Sequence, residues 1–371
     1  MKKHELPSVL GSISPQEFMR DYWQKKPLLI RQAIPGMQAL LSRKDLFAMA
    51  SNPDVESRLV SGNGDSQPWR MQHGPFKPRA LPPLSRPHWT LLVQGVDLHV
   101  EAFAQLRDRF RFIPDARLDD VMVSYASDGG GVGPHFDSYD VFLLQAHGQR
   151  RWRISAQKNL QLRDDVPLKI LSQFKPSKTM LLEPGDMLYL PPHYAHEGVA
   201  VGECMTYSIG FRAPEMRELA AELLSRMTDM DNAMAPVRYR DAGQAMAVKP
   251  AQIPATLQAF AMQSVQSLLT QSRQLQVALG EVLTEPKAEV WFATQNCPRN
   301  LQSVRLNAKT RMLYDDQYVF INGESWRCQG ADARSLKLLA NERSLSGLDS
   351  LSPQLGALLR DWVQAGWLHS S

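Results

Sequence analysis

Residues 129–140 read "GGGVGPHFDSYD", with four glycines, a proline, a histidine and two aspartates in twelve residues. Glycine serves where a chain bends sharply or lets another group approach closely, so this backbone ahead of a His-x-Asp pair decides the reading. Side chains alternate along a strand, so a strand here puts His135, Asp137 and Tyr139 on one face and Phe136 and Ser138 on the other. His135 and Asp137 then grip one ion together. Around this stretch, from about His88 to Arg212, lie "WTLLVQGV", "VMVSYAS", "DVFLLQA", "RWRIS", "TMLLEPGDMLYLPP" and "CMTYSIGFR". These short strand-forming runs, punctuated by Gly, Pro and Asp, predict an antiparallel barrel or jelly roll.

The flanks differ. Ahead of the β segment, "SPQEFMRDYWQKK" opens with a Ser-Pro helix entry and "PLLIRQA" is an apolar run of strand length. After Ala213 strand signals stop, and "EMRELAAELLSRMTDM" and "LQAFAMQSVQSLLTQSRQLQVALGEVL" carry apolar residues at helical spacing, with a Pro-rich joint, "VKPAQIP", between them. The last 70 or so residues mix strands ("SVRLN", "RMLYDD", "QYVFINGESW" with an Asn-Gly turn) and helices ("ARSLKLLANE", "PQLGALLRDWVQAGW"), a small α+β unit. At 371 residues the chain is long enough for several cores, and 22 % charged residues with a net charge of +4 describe an ordinary globular protein. No run reaches the roughly 18 apolar residues of a membrane span, and no signal-peptide core follows the N-terminal lysines, so no membrane and a cytoplasmic location are expected. Cys204, Cys297 and Cys328 are odd in number and lack metal spacing, which argues against a disulfide framework and a thiolate zinc site.

A metal needs a third ligand, and about sixty residues on "LEPGDMLYLPPHYAHEG" offers His193 and His196. Two histidines and one carboxylate leave three positions open on an octahedral ion, as in non-haem Fe(II) oxygenases. Each piece has a plainer meaning: His-x-Asp occurs by chance, and His147, before a glycine, reads as a turn residue. His4, His73, His88, His99 and His369 lack partner spacing. A phosphate-cradling glycine loop is excluded because no Lys-Ser or Lys-Thr follows it. Spacing does not choose between His193 and His196.

With His135, Asp137, the "EPGD" turn and a histidine after "LPP", the chain resembles the JmjC family of Fe(II) and 2-oxoglutarate oxygenases. More closely, "YWQKKPLLIR", "SRLVS", "GGGVGPHFDSYDVFLLQAHGQRRWR", "LEPGDMLYLPPHYAHEG" and "YSIGFRAP" resemble the bacterial ribosomal oxygenases, which hydroxylate the β-carbon of an arginine in a large-subunit ribosomal protein. The resemblance covers most of residues 21–214; beyond that it is one of layout. It implies a mainly β, double-stranded β-helix domain of jelly-roll or cupin type with N-terminal helices over 1–214. A helical dimerisation region over 215–298 and a winged-helix-like α+β domain over 299–371 would follow. The family's "P-x-x-x-H-E-G" segment selects His196, making His135, Asp137 and His196 the expected iron ligands, with no further catalytic residue.

The same resemblance puts the distal carboxylate of 2-oxoglutarate on Arg150, fifteen residues past His135, a task suited to a bidentate guanidinium. In "DVMVSYAS", Asp120, Met122 and Ser124 share a face by period two. If that face lines the pocket, Ser124 donates to 2-oxoglutarate, Met122 packs on an aliphatic stem and Asp120 pairs with a substrate guanidinium. Tyr139 stacks on that guanidinium, and Ser208 joins the pocket wall. Arg151 and Arg153 read as surface charge. The implied reaction takes 2-oxoglutarate and dioxygen to succinate, CO2 and a hydroxylated side chain. Its rivals are a non-catalytic ribosome- or RNA-associated scaffold, or a JmjC enzyme acting on histidine or methyl-lysine. A homodimer is expected. The grouping of Arg305, Lys309 and Arg311, backed by Asp315 and Asp316, does not by itself indicate nucleic acid.

Overall fold

The computed structural model describes residues 8–64, 66–230, 237–242, 246 and 251–370. The chain forms two compact units. One holds residues up to Ala213 with Glu289–Trp291, and the other holds Pro214–Ala288 with Phe292–Ser371. Of the sequence features above, His4 and residues 248–250 of "VKPAQIP" lie outside the described residues.

The first unit is built on nine strands: β1 (Leu28–Ile30), β2 (Ser57–Ser61), β3 (Arg70–His73), β4 (Trp89–Val93), β5 (Leu118–Ala126), β6 (Asp140–Ser155), β7 (Lys178–Leu182), β8 (Met187–Leu190) and β9 (Ala195–Phe211). Every pairing among them is antiparallel; the order runs β1-β8-β6-β9-β5-β4-β2-β3, with β7 beside β6. This is the expected cupin-like architecture, and strand pairing starts earlier than His88, at Leu28. Alternation along β6 and β8 sorts their residues between two cores. Phe142, Leu144, Met187 and Tyr189 join the larger core, where Phe18 of the helix Pro15–Asp21 lies 4.9 Å from Tyr189 and 5.4 Å from Phe142, ring centre to ring centre. Val141, Leu143, Leu188 and Leu190 join a second core with Trp152, Ile154 and Leu182. Ser14 starts that N-terminal helix by accepting from the Glu17 amide, as the Ser-Pro entry predicts.

Two expectations about strands need correcting. "DVFLLQA" and "RWRIS" are not separate strands: they form the single 16-residue β6, and His147-Gly148 is a bulge within it, where the register against β9 shifts. Nor is "HFDSYD" a strand, since residues 136–139 are irregular and β6 begins only at Asp140. Asp140 anchors that start from a fully buried position, accepting from Tyr189 Oη at 2.6 Å, Gln24 Nε2 at 3.1 Å and Arg117 Nη2 at 3.1 Å.

In the second unit "EMRELAAELLSRMTDM" forms the helix Met216–Asp229. The longer run forms two helices, Ala255–Leu269 and Ser272–Thr284, broken at Thr270-Gln271. By contact these helices group with the C-terminal strands. There, strands Met312–Tyr314, Tyr318–Ile321 and Glu324–Arg327 make one sheet, and Ser303–Leu306 sits between Ser344–Ser346 and Leu368–Ser370 in another. Asn322 and Gly323, at φ +49 and +86, turn the hairpin as the Asn-Gly pair predicts. Helices Gly330–Glu342 and Pro353–Gln364 complete a core containing Leu336, Leu339, Leu359 and Trp362.

Candidate metal centre

His135 lies before β6 and His196 at the second residue of β9, yet their backbones are clasped. His135 N–H donates to His196 O at 2.9 Å and His196 N–H returns to His135 O at 2.8 Å. That isolated antiparallel bridge, rather than strand alternation, brings the imidazoles together, with ring centres 4.2 Å apart. One donor atom each from His135, Asp137 and His196 lies within 4.8 Å of the others, and His196 Nε2 is 3.6 Å from Asp137 Oδ2. His193 is excluded by geometry: it is exposed, sits at φ +59, and contributes its backbone N–H to Asp137 O at 2.7 Å.

The donor set fits a divalent ion of the Fe(II) type. His135 Nδ1 is 2.9 Å from Gly133 O and His196 Nδ1 is 2.8 Å from Tyr194 O. A carbonyl oxygen only accepts, so each Nδ1 carries the proton and each Nε2 keeps a lone pair for a metal. Burial, and then the neighbouring His135, push the His196 imidazole down to about 4. A buried imidazole held neutral makes the fold pH-sensitive. Above the ordinary imidazole value both folded and unfolded chains are unprotonated; as pH falls toward 4 only the unfolded chain takes up the proton. The metal-free protein should therefore lose about 3 kcal/mol between pH 6.5 and 4 from this residue, at about 1.4 kcal/mol for each pH unit crossed. Urea unfolding at stepped pH checks this, with the slope expected to flatten in His196→Gln.

The glycine run packs backbone on backbone. A Cβ on Gly131 would stand 2.6 Å from Gly198 O, and one on Gly130 2.3 Å from Trp89 O; Ala200 N–H also donates to Gly130 O at 2.9 Å. The run thus lets the metal-bearing segment lie directly against β9 and the start of β4. The "EPGD" turn is structural: Asp186 accepts from the amides of Gln32 and Glu183 and from Arg31, fastening the segment after β1.

Arg150 is buried, 3 % exposed. Its Nη1 donates to Ser124 Oγ at 2.9 Å and its Nη2 to Gly198 O at 3.1 Å, while Nε has no hydrogen-bond partner among the described residues. Its guanidinium lies 5.3 Å from the centre of the Trp152 ring. Among the described residues no carboxylate pairs with it, and burial pushes the neighbouring Cys204 thiol up, so it supplies no counter-charge. A buried cation without an anion is costly, and an anionic ligand relieves that cost.

The remaining expected residues are placed as follows. Ser124 stands opposite Thr206, and Met122 opposite Ser208, which in turn faces Leu143 across β9. Ser208 is buried and Met122 half-buried. Asp120 is buried within the irregular start of β5, where its Oδ2 accepts from Gly95 N–H at 3.1 Å. Tyr139 is partly exposed, with its ring over Gly210; its hydroxyl is pushed up by desolvation, then by Asp137, Asp120 and Asp119. Arg151 is exposed, and Arg153 pairs with Glu197 beside Phe174. Two site residues escaped the sequence reading. Gly198 and Trp152 lie two residues beyond His196 and Arg150, so period two was the available signal.

Residues 105–219 match the JmjC domain family, and residues 267–369 the ROXA-like winged helix. The chain belongs to the JmjC-domain family, in its cupin-like architecture with a C-terminal winged helix. Within that family it is similar to ribosomal oxygenases. It is 42 % identical over 206 residues to the ribosomal protein uL16 3-hydroxylase of Escherichia coli, covering 55 % of this chain and 54 % of that protein. The chain thus spans about half the length of the curated relatives it matches. A crystal structure of the Escherichia coli ribosomal oxygenase YcfD superposes with a TM-score of 0.81 at 30 % identity, over 97 % of this chain and 99 % of that one. The same enzyme in complex with cobalt and 2-oxoglutarate gives 0.81 at 29 %, over 96 % and 98 %.

Proposed function

We propose that this protein is an Fe(II)- and 2-oxoglutarate-dependent hydroxylase of a large-subunit ribosomal protein, acting on the β-carbon of an arginine with succinate and CO2 as coproducts. The observation that carries the reading is the buried guanidinium of Arg150, without a carboxylate partner among the described residues, in one fold with a two-histidine, one-carboxylate donor set. A scaffold has no need to bury an unpaired cation there, whereas a dicarboxylate cosubstrate supplies the missing charge. Likeness to a protein named for uL16 3-hydroxylation, and to a relative complexed with cobalt and 2-oxoglutarate, supports the same reading.

His135, Asp137 and His196 would hold the iron through Nε2, a carboxylate oxygen and Nε2. When bound, ferrous iron supplies open positions where 2-oxoglutarate and dioxygen meet, coupling decarboxylation to insertion of oxygen into an unactivated C–H bond. The protein's part is placement. Arg150, with Ser124, receives the distal carboxylate, while Trp152, Leu143, Leu188 and Leu190 supply apolar surface that excludes water. Tyr139 offers an aromatic face and Asp120 a negative charge to an arginine side chain, with Met122 and Ser208 along its stem. The helices within 215–298 are the proposed homodimerisation region: Leu257, Met262, Val265 and Leu269 are exposed on the helix Ala255–Leu269.

The test is mass spectrometry of large-subunit ribosomal proteins incubated with the protein, Fe(II) and 2-oxoglutarate. One added oxygen on an arginine is expected with wild type and none with His135→Ala. Oxygen on a histidine, or demethylation of a lysine, would replace the arginine assignment, and absence of 2-oxoglutarate consumption would overturn the enzyme reading.

A further inference from the structure

We infer that Gly198 is a positioning residue: its missing side chain leaves the space in which the Arg150 guanidinium and the Trp152 indole are stacked, and so sets where the distal carboxylate of the cosubstrate is received. The inference rests on the proposed function and extends it to a residue outside the metal set and the anion contacts.

The geometry is specific. A Cβ on Gly198 would stand 2.7 Å from Arg150 Nε and 2.8 Å from both Cη2 and Cζ3 of Trp152. Real Cβ atoms do not tolerate such approaches, and the atoms in the way are buried, with Arg150 3 % and Trp152 5 % exposed. The guanidinium cannot simply swing aside, because the Gly198 carbonyl and Ser124 Oγ hold its two terminal nitrogens. Gly198 thus acts twice, as acceptor for Arg150 and as the gap beside it. No positive φ demands glycine here, since the Gly198 backbone is not left-handed. The need for glycine is therefore space. Because Gly198 follows His196 by two residues on β9, one stretch of strand carries both a metal ligand and the seat of the anion anchor. Two buried nitrogens in this stack, Arg150 Nε and Trp152 Nε1, have no hydrogen-bond partner among the described residues.

The test compares ligands with and without a distal carboxylate on the Mn(II)-loaded full chain without oxygen, using calorimetry for 2-oxoglutarate and Mn(II) and manganese paramagnetic resonance for pyruvate. Gly198→Ala is expected to weaken 2-oxoglutarate binding about tenfold or more, the scale of an overpacked buried site. Mn(II) and pyruvate affinities should stay within about twofold, the ordinary scatter of independent sites. Adding Trp152→Phe, which withdraws the ring atoms facing residue 198, should recover part of the loss. Unchanged 2-oxoglutarate binding in Gly198→Ala overturns the inference, as does parallel loss of pyruvate or Mn(II). If Gly198→Ala does not fold, Trp152→Phe alone decides: it should weaken 2-oxoglutarate selectively through loss of the stacking face, and wild-type binding overturns the inference. A wild-type protein that binds 2-oxoglutarate no better than pyruvate instead removes the cosubstrate reading itself.

Discussion

Arg150→Met raises the 2-oxoglutarate concentration needed for half-maximal turnover by at least about thirtyfold, without lowering the thermal midpoint of the ligand-free protein. Removing one partner of a buried, hydrogen-bonded charge pair costs about 2–5 kcal/mol, and each 1.4 kcal/mol is about tenfold. The second half of the result distinguishes an anchor from a structural arginine. In the ligand-free protein Arg150 lies buried opposite no carboxylate among the described residues, so methionine removes an unpaired charge while losing the bonds to Ser124 and Gly198. These effects oppose each other. A structural arginine would instead show a sharp fall in stability with unchanged cosubstrate affinity. Thermal denaturation with and without 2-oxoglutarate, alongside steady-state kinetics, reads both.

Asp137→Ala takes turnover to background and strips the site of its metal preference. His196 is held neutral, so Asp137 supplies the formal negative charge of the three-donor set, and a divalent ion bound there would keep its full charge without it. Mn(II) titration followed by paramagnetic resonance should show weakened binding, while unfolding stability at neutral pH holds. An Asp137→Ala protein that still turned over would mean that the metal sits elsewhere. Asp137→Glu is not expected to rescue, because one extra methylene moves the carboxylate out of a cluster whose donor atoms already lie within 4.8 Å.

The identities of the three donors were legible in the sequence, but their geometry was not. Alternation along a supposed strand put His135 and Asp137 together; the segment is irregular, and what joins it to His196 is a pair of backbone hydrogen bonds across sixty residues. Long-range backbone pairing leaves no periodic trace, so only resemblance separated His196 from His193. Strand content was readable from β-branched and aromatic runs, whereas the continuity of β6 was hidden because Gly148, at φ +61, looks the same in a bulge as in a turn. Arg150 was found through the family resemblance, but its lack of a carboxylate partner among the described residues is a property of burial. The glycine of "HEG" stayed unread because the significance of a missing Cβ depends on what lies across from it, here Arg150 and Trp152.

The reciprocal backbone clasp between His135 and His196 is made by main-chain atoms alone, so the seat of the loop on β9 does not depend on which side chains it carries. Substituting either imidazole therefore removes a donor without unfastening the loop, and the two positions can be varied one at a time on an unchanged frame.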